Sequence, residues 1–188
     1  MNDLVRRTNL IVSLISFAGI DGIWKYNADA ITLDLRRATP EILSSTSRKW
    51  LRISEHFASY GGAEVFLAVD ASNIQNQLDA AIWPGISGIL LSGAPDQSLL
   101  RVTSAKMDDM EGRRGLANGS LEIIPLLDTA AAVWNVREII SAVPRTRQVI
   151  LDESSLARDV GITPDIDIDP FVYARGRVIA EAVSKGVQ

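Results

Sequence analysis

The sequence contains no cysteine and a single histidine, His56, among its 188 residues. The absence of cysteine excludes disulfide bonds, thiolate metal sites and cysteine nucleophiles, and it is compatible with a reducing compartment. One histidine excludes a multi-histidine metal site, and no order of residues around it indicates a catalytic triad. We therefore interpret His56 as a surface residue.

Concentrated positive charge, long apolar runs and phosphate-binding glycine motifs are also absent. The formal net charge is −4 and the 19 lysines and arginines are scattered, so nucleic acid is not an expected partner. The apolar run at residues 10–18 is much shorter than the roughly 20 residues that span a bilayer, so we predict no membrane segment and a cytoplasmic protein. Neither Gly-x-Gly-x-x-Gly nor Gly-Lys-Ser occurs, which leaves a nucleotide cofactor unsupported.

The sequence does contain a repeated alternation of short apolar runs and helical patterns. With 47% hydrophobic and 22% charged residues, the chain is long enough for one well-buried domain over residues 1–188. Six segments are predicted as strands: Asn9–Ser16, Ala30–Leu35, Glu64–Val69, Ile86–Leu91, Leu121–Leu127 and Val149–Leu151. Apolar residues recur at helical spacing between them, which is the pattern of a parallel sheet with crossover helices.

This alternation predicts an α/β fold of the TIM-barrel type that contains about six of the eight βα units. A barrel with six strands would stay open, and an uncovered edge strand tends to associate with another chain. We therefore expect an oligomer, formed with copies of the chain or with an intact relative.

Carboxylates follow the last two predicted strands. Asp128 comes directly after Leu127, and Asp152 and Glu153 come directly after Leu151. Because parallel α/β folds hold their ligand sites at the carboxyl ends of the strands, a site is expected here. Each carboxylate also has an ordinary interpretation, which we favour: an N-cap for Asp128, and a solvated acidic loop for the other two.

Two arginines follow the second predicted strand. Arg36 and Arg37 could bind a phosphate or a carboxylate through paired N–H groups, or they could be solvated cations or part of a subunit contact. A further acidic stretch, Asp165, Asp167 and Asp169, superficially looks like a calcium loop. The glycine and the terminal glutamate of such loops are missing, so we predict an ordinary linker.

Six short stretches of the chain, in their order and spacing, match one known family. They are Asp34-Leu35, residues 64–69, residues 85–91, residues 127–130, residues 156–161 and residues 173–175. With these stretches the chain resembles the HpcH/HpaI aldolase and citrate lyase β-subunit family. The resemblance implies a TIM barrel, a divalent metal, usually Mg²⁺, and reversible cleavage of a carbon–carbon bond in a hydroxy acid or its CoA thioester. In such a reaction the metal stabilises an enolate.

The chain departs from this family where the chemistry is expected. Two acids that the family has after an early strand are replaced by Arg36 and Arg37, and its substrate-binding arginine falls on Ala68. The family's first metal ligand, a glutamate, falls on Asp128, and its second, an aspartate, falls on Ser155. A shortened carboxylate and a neutral hydroxyl are poor ligands for Mg²⁺, so we expect Mg²⁺ binding to be weak or absent.

The departures leave three functions open. The leading hypothesis is a citrate lyase β-subunit-like barrel that has lost its catalysis and acts as a scaffold or partner subunit, so we assign no catalytic residue. The second is a working carbon–carbon lyase of the malyl-, citramalyl- or citryl-CoA type. Its metal would lie on Asp128 with Asp152 or Glu153, and Arg36 or Arg37 would bind the substrate carboxylate. The third is a module that binds an acyl-CoA or a small organic acid through the two arginines.

Overall fold

The computed structural model describes residues 6–13, 23–45, 62–163 and 169–188. Its sheet has six strands in chain order, and every pair of neighbours is parallel. The strands are β1 (Asn9–Ser13), β2 (Ala30–Asp34), β3 (Glu64–Asp70), β4 (Gly88–Ser92), β5 (Glu122–Leu127) and β6 (Ile150–Leu151). The sheet curls into a half-barrel, which confirms the predicted incomplete barrel.

Helices follow the strands. The described part of α1 covers residues 40–45, and the others are α2 (Ile74–Ala81), α3 (Gln97–Arg113), α4 (Ala130–Trp134), α5 (Val136–Ile140), α6 (Glu153–Val160) and α7 (Val172–Lys185). The apolar spacing over residues 130–140 predicts one helix, but Asn135, with φ −94° and ψ 17°, divides it into α4 and α5. None of the helices in the described ranges is long and apolar enough to cross a membrane.

Three sequence predictions lie wholly or partly outside the described residues. They concern residues 14–16 of the first predicted strand, the helix predicted beyond residue 45, which includes His56, and Asp165 and Asp167 of the predicted linker.

The two faces of the sheet carry different residues because successive side chains of a strand point to opposite sides. The face towards the helices belongs to the main core, with residues such as Leu33, Leu67 and Leu91, each fully buried. The concave face holds a smaller cluster made of Ala30, Phe66, Ala68, Leu90 and Ile124. The helices therefore cover one face, and the other face lines the inside of the half-barrel.

The close pairing of β4 with β5 depends on Gly88. A Cβ atom at this position would lie 2.2 Å from the backbone oxygen of Glu122, its register partner. No side chain can be accommodated at that distance without separating the strands, so a glycine is required here.

The turns at the carboxyl ends of β3 to β6 begin their helical segments with polar caps. Asp70 accepts a hydrogen bond from the amide of Ser72, and Asp96 accepts one from the amide of Ser98. Thr129 caps α4 and Asp152 caps α6 in the same way. Such caps satisfy amides that lack a partner in the first turn of a helix. They bring polar side chains to the same edge of the sheet.

Candidate ligand site at the carboxyl ends of the strands

A cavity of about 360 Å³ opens at the carboxyl ends of the strands, on the concave side of the sheet. Its polar lining is Arg36, Asp152, Glu153 and Ser154, and its apolar lining includes Leu90 and Leu126. The cavity therefore brings together three of the five side chains that the sequence proposes as site residues.

Arg36 is fixed at this edge by its own loop. Its Nε and one Nη donate hydrogen bonds of 3.0 and 2.8 Å to the two carboxylate oxygens of Asp34. Burial opposes the ionisation of Asp34, but the hydrogen bonds and the charge of Arg36 outweigh it and lower the pKa of that carboxyl. Both groups are therefore charged, and the pair is only partly exposed, at 26% for the arginine side chain.

The backbone beneath Arg36 is held by Gln77 of α2. This glutamine is 1% exposed, and its side-chain amide donates to the carbonyls of Leu35 and Arg36 at 3.1 and 3.4 Å. Its Oε1 accepts a 2.6 Å hydrogen bond from the amide of Asp70. Gln77 thus joins the ends of β2 and β3. The second predicted arginine, Arg37, is exposed and is not among the residues that line the cavity.

Asp128 is buried at 8% exposure, and the N-cap role that we favoured for it is wrong. The cap of α4 is the next residue, Thr129, whose hydroxyl accepts from the amide of Ala132 at 3.2 Å. Asp128 instead reaches the end of the neighbouring strand β4: its Oδ2 accepts from the hydroxyl of Ser92 at 2.6 Å and from the amide of Gly93 at 2.9 Å. Its Oδ1 has no hydrogen-bond partner among the residues that the structure describes.

Both oxygens of Asp152 are used at the start of α6. Oδ1 accepts from the amide of Ser155 at 3.0 Å, and Oδ2 accepts from the hydroxyl of Ser155 at 2.8 Å. The same hydroxyl accepts from Arg158 at 2.8 Å. Asp152 is therefore a helix cap rather than a free acid in a solvated loop, and Ser155 is its partner.

Both oxygens of Glu153 are bound by one arginine of α7. Arg175 donates to Oε1 through its Nε and to Oε2 at 2.9 Å, and it also pairs with Asp169. These hydrogen bonds lower the pKa of Glu153. The side chain is charged, but its charge is neutralised within the protein.

The side chains at this edge do not fit Mg²⁺, which needs several hard oxygen ligands in a near-octahedral arrangement. The carboxylate oxygens of Asp152 and Glu153 already accept hydrogen bonds, Arg175 neutralises the charge of Glu153, and Ser155 is neutral. Of the three acids, only Asp128 has an oxygen, Oδ1, without a hydrogen-bond partner among the described residues. In the described ranges, no group of three or more histidine, aspartate or glutamate side chains is arranged to hold a metal ion.

Sequence reasoning missed three residues of this site, which are Asp34, Gln77 and Ser92. The spacing Asp34-x-Arg36 at the end of a predicted strand is a signal that could have indicated the first. The contacts of Gln77 depend on the orientation of α2, and the contact of Ser92 with Asp128 depends on the orientation of the end of β4. Nothing in the residue pattern indicates these partners.

Comparison with known proteins agrees with the fold and the resemblance. The family model for HpcH/HpaI aldolase/citrate lyase matches residues 18–188, so the chain belongs to this family, as predicted. The citrate lyase subunit beta of Leuconostoc mesenteroides subsp. cremoris is 23% identical over 194 residues. That match covers 99% of the chain but only 63% of the citrate lyase subunit, so the chain spans less than two thirds of the length of this relative.

Solved structures share the half-barrel at lower identity. Haloferax volcanii malate synthase, at 3 mM glyoxylate, has a TM-score of 0.77 and 15% identity, and the match covers 100% of this chain and 62% of the malate synthase chain. Macrophomate synthase has a TM-score of 0.76 and 19% identity, and the match covers 96% of this chain and 69% of the synthase chain. An HpcH/HpaI aldolase from Desulfitobacterium hafniense has a TM-score of 0.70 and 19% identity, and the match covers 95% of this chain and 74% of the aldolase chain. At these identities the likeness concerns the fold alone.

Proposed function

We propose that the chain is a citrate lyase β-subunit-like barrel that does not carry out metal-dependent carbon–carbon cleavage and that works as an associating subunit. One observation supports the first part: of the acids expected to hold a metal, Asp128 alone keeps an oxygen that is not hydrogen-bonded. A single buried carboxylate oxygen does not supply the charge or the geometry that Mg²⁺ requires.

The first test is calorimetric titration of the protein with MgCl₂ and with MnCl₂. We expect no binding in the micromolar range. The same protein is then assayed with malyl-, citramalyl- and citryl-CoA and with small oxo acids in the presence of either metal. We expect no turnover above that of the Asp128→Ala variant, and Asp109→Ala, an exposed residue of α3, serves as the matched control.

Two outcomes would overturn this part of the proposal. One is micromolar binding of Mg²⁺ or Mn²⁺ by the unmodified protein. The other is turnover that Asp128→Ala abolishes and Asp109→Ala leaves unchanged, which would establish the chain as a working lyase.

The outward face of α7 supports the second part, association. Four large apolar side chains of α7 are exposed: Val172 and Tyr173 in the first turn, then Ile179 and Val183. A solvent-facing helix normally carries polar residues there.

Three of the four charged residues of α7 pair within the chain. Arg175 pairs with Glu153 and Asp169, Arg177 donates to the carbonyls of Val133 and Trp134, and Glu181 pairs with Arg137 at 2.7 Å. The fourth, Lys185, is exposed in the last turn of the helix.

An apolar groove continues this face towards α4 and α6. It has a volume of about 270 Å³ and includes Trp134, which is 66% exposed, together with Val160 and Ile162. With the α7 side chains it forms an exposed apolar surface, and exposed apolar patches often mark subunit contacts. We propose a second copy of the chain as the occupant.

Association is tested by multi-angle light scattering of the purified protein. We expect a mass above the 20.4 kDa of one chain, and a return to one chain in the Ile179→Glu and Val183→Glu variants, because a buried unpaired carboxylate disfavours the contact. Val102→Glu, at an exposed apolar position on α3, is the control and should not change the mass. A single-chain mass for the unmodified protein would contradict this part of the proposal.

The cavity supports a second candidate, binding of a small organic acid. Arg36 lines the cavity next to apolar residues, and the N–H groups of its guanidinium that do not bind Asp34 could donate to a ligand carboxylate. Pyruvate, oxaloacetate or acetyl-CoA would then raise the melting temperature in the presence of EDTA, since a ligand stabilises the state that it binds. Arg36→Met should remove the shift and Arg37→Met should keep it. No shift with any of the three ligands would argue against this candidate.

A further inference from the structure

Acids from four different strands lie at the carboxyl edge of the sheet. Asp34 ends β2, Asp70 ends β3, Asp128 follows β5, and Asp152 follows β6. Asp128 is two residues beyond Leu126, which lines the cavity, so the alternation of strand residues places it on the same face. Because all the strands of the sheet are parallel, these acids lie at one edge, where their charges repel unless a cation compensates them.

Burial makes the need for a cation strongest at Asp128. The residue is 8% exposed and one of its oxygens has no hydrogen-bond partner among the described residues. An ionised carboxylate in such a place is costly unless an opposite charge lies nearby. The hydroxyl of Ser92 and the amide of Gly93 serve the other oxygen but bring no charge.

Arg36 faces this edge from inside the half-barrel. It lines the same cavity as Asp152 and Glu153, and two hydrogen bonds to Asp34 hold its guanidinium there. Of the other charged groups that the structure describes around it, Glu153 is bound by Arg175, Arg158 donates to the hydroxyl of Ser155, and Arg37 is exposed. The pKa of Arg36 is raised, mainly by Asp34 and further by the charges of Asp152 and Asp128.

We infer that Arg36 is the resident cation of this edge: its guanidinium compensates Asp34 by direct contact, and Asp128 and Asp152 through space, where a divalent ion would otherwise be needed. The inference deepens the proposed function and rests on it, because it explains how the acids tolerate one another without a metal. Arg36 acts here as a positioning and charge-compensating residue.

A double-mutant cycle between Arg36→Met and Asp128→Asn tests this inference, with stability measured by urea unfolding. Asparagine keeps an acceptor for Ser92 and Gly93 but removes the charge. We expect Asp128→Asn to cost less in the Arg36→Met background than in the unmodified protein, with a coupling of at least about threefold in the unfolding equilibrium constant. The matched cycle of Arg37→Met with Asp128→Asn should be additive.

Additive effects of Arg36→Met and Asp128→Asn would overturn the inference, because a purely local contact with Asp34 would not couple to Asp128. Arg36→Lys provides a second measurement if the methionine variant does not fold: lysine keeps the charge, so it should keep most of the stability. A lysine variant as unstable as the methionine variant would also overturn the inference. Neither result depends on the metal titration of the unmodified protein, which tests the proposed function separately.

Discussion

The two ends of the sheet handle buried charge differently. At the amino end, arginines connect segments that are far apart in sequence. Arg6 pairs with Glu64, 58 residues away, and with Glu122 at 2.8 Å. Arg145 pairs with Glu111, 34 residues away. At the carboxyl end the most buried arginine pair is local: Arg36 pairs with Asp34, two residues away, and the contacts over longer separations there join Glu153 to an exposed arginine or involve neutral groups.

This difference indicates which end stabilises the fold and which end can vary. A contact across many residues disappears when the chain unfolds, so the amino-end arginines stabilise the sheet itself. A contact within one loop shapes that loop and contributes less to the whole. In barrel folds the carboxyl end is also the end that carries chemistry, while the amino end serves stability.

The largest effect is expected for Arg145→Met at the amino end. Arg145 is 5% exposed and its partner Glu111 is fully buried. Glu111 also accepts from the amides of Gly119 and Leu121 at 2.8 and 2.9 Å. Loss of the arginine leaves a buried carboxylate without a cation, which costs about 3–5 kcal/mol of unfolding free energy. Urea unfolding measures the loss.

The control for this substitution is Arg113→Met on α3. Arg113 is 73% exposed and pairs with Asp109 one turn away, and such surface pairs contribute about 0–1 kcal/mol. If the two variants lost similar stability, the amino-end cluster would not be the stabilising element that its burial indicates.

A smaller, pH-dependent loss is expected for Arg6→Met, about 2–3 kcal/mol at neutral pH. Burial raises the pKa of Glu122, and Arg6 partly opposes that rise. Without Arg6 the pKa rises further, so the folded variant takes up a proton at Glu122 more readily than the unfolded chain does. Stability then falls as the pH rises through that higher pKa. The cost of the substitution should therefore be larger at pH 8 than at pH 5.

Urea unfolding of the Arg6→Met variant and of the unmodified protein, each at pH 5 and pH 8, measures the cost of the substitution at the two pH values. An equal cost at the two values would show that Arg6 acts through its packing over the ring of Phe66, 4.9 Å from the ring centroid, and not through charge.

At the carboxyl end, Asp128→Asn should cost about 1 kcal/mol or less in the otherwise unmodified protein. The amide keeps an oxygen for Ser92 and Gly93, and a net hydrogen bond contributes about 1 kcal/mol. A loss as large as that of Arg145→Met would remove the contrast between the two ends, and it would mean that the charge of Asp128 is part of the core electrostatics. Thermal and urea unfolding of the variant and the unmodified protein measure the loss of stability.

The fold could be predicted from the sequence because its signals are local. Short apolar runs that alternate with helical spacing indicate a parallel sheet with crossover helices, and the resemblance to the aldolase family indicates the barrel type. The division at Asn135 was not predictable, because Trp134 and Val136 on either side both fit the helical pattern.

The site was predicted in part, because its contacts combine short and long range. Asp128 and Thr129 are both ordinary capping residues, so composition did not show which of them caps α4. The arginine partner of Glu153 lies 22 residues away on another helix, and no local pattern connects the two. Arg36 was recognised as a candidate because two adjacent arginines at a strand end are conspicuous, while its partner Asp34 was noted only as part of the family resemblance and not as a site residue.

The smallest effect is expected for Glu153→Gln, which the sequence proposes as a metal ligand. Its partner Arg175 is 43% exposed and keeps a second acid, Asp169, after the substitution. An exposed pair that retains one acid contributes little to stability, so the melting temperature should not change measurably. Calorimetric titration with MnCl₂ should also give the same result for the variant and the unmodified protein. If the substitution removed a measurable heat of Mn²⁺ binding, Glu153 would have to leave Arg175 for the metal, and the carboxyl end would be a working metal site after all.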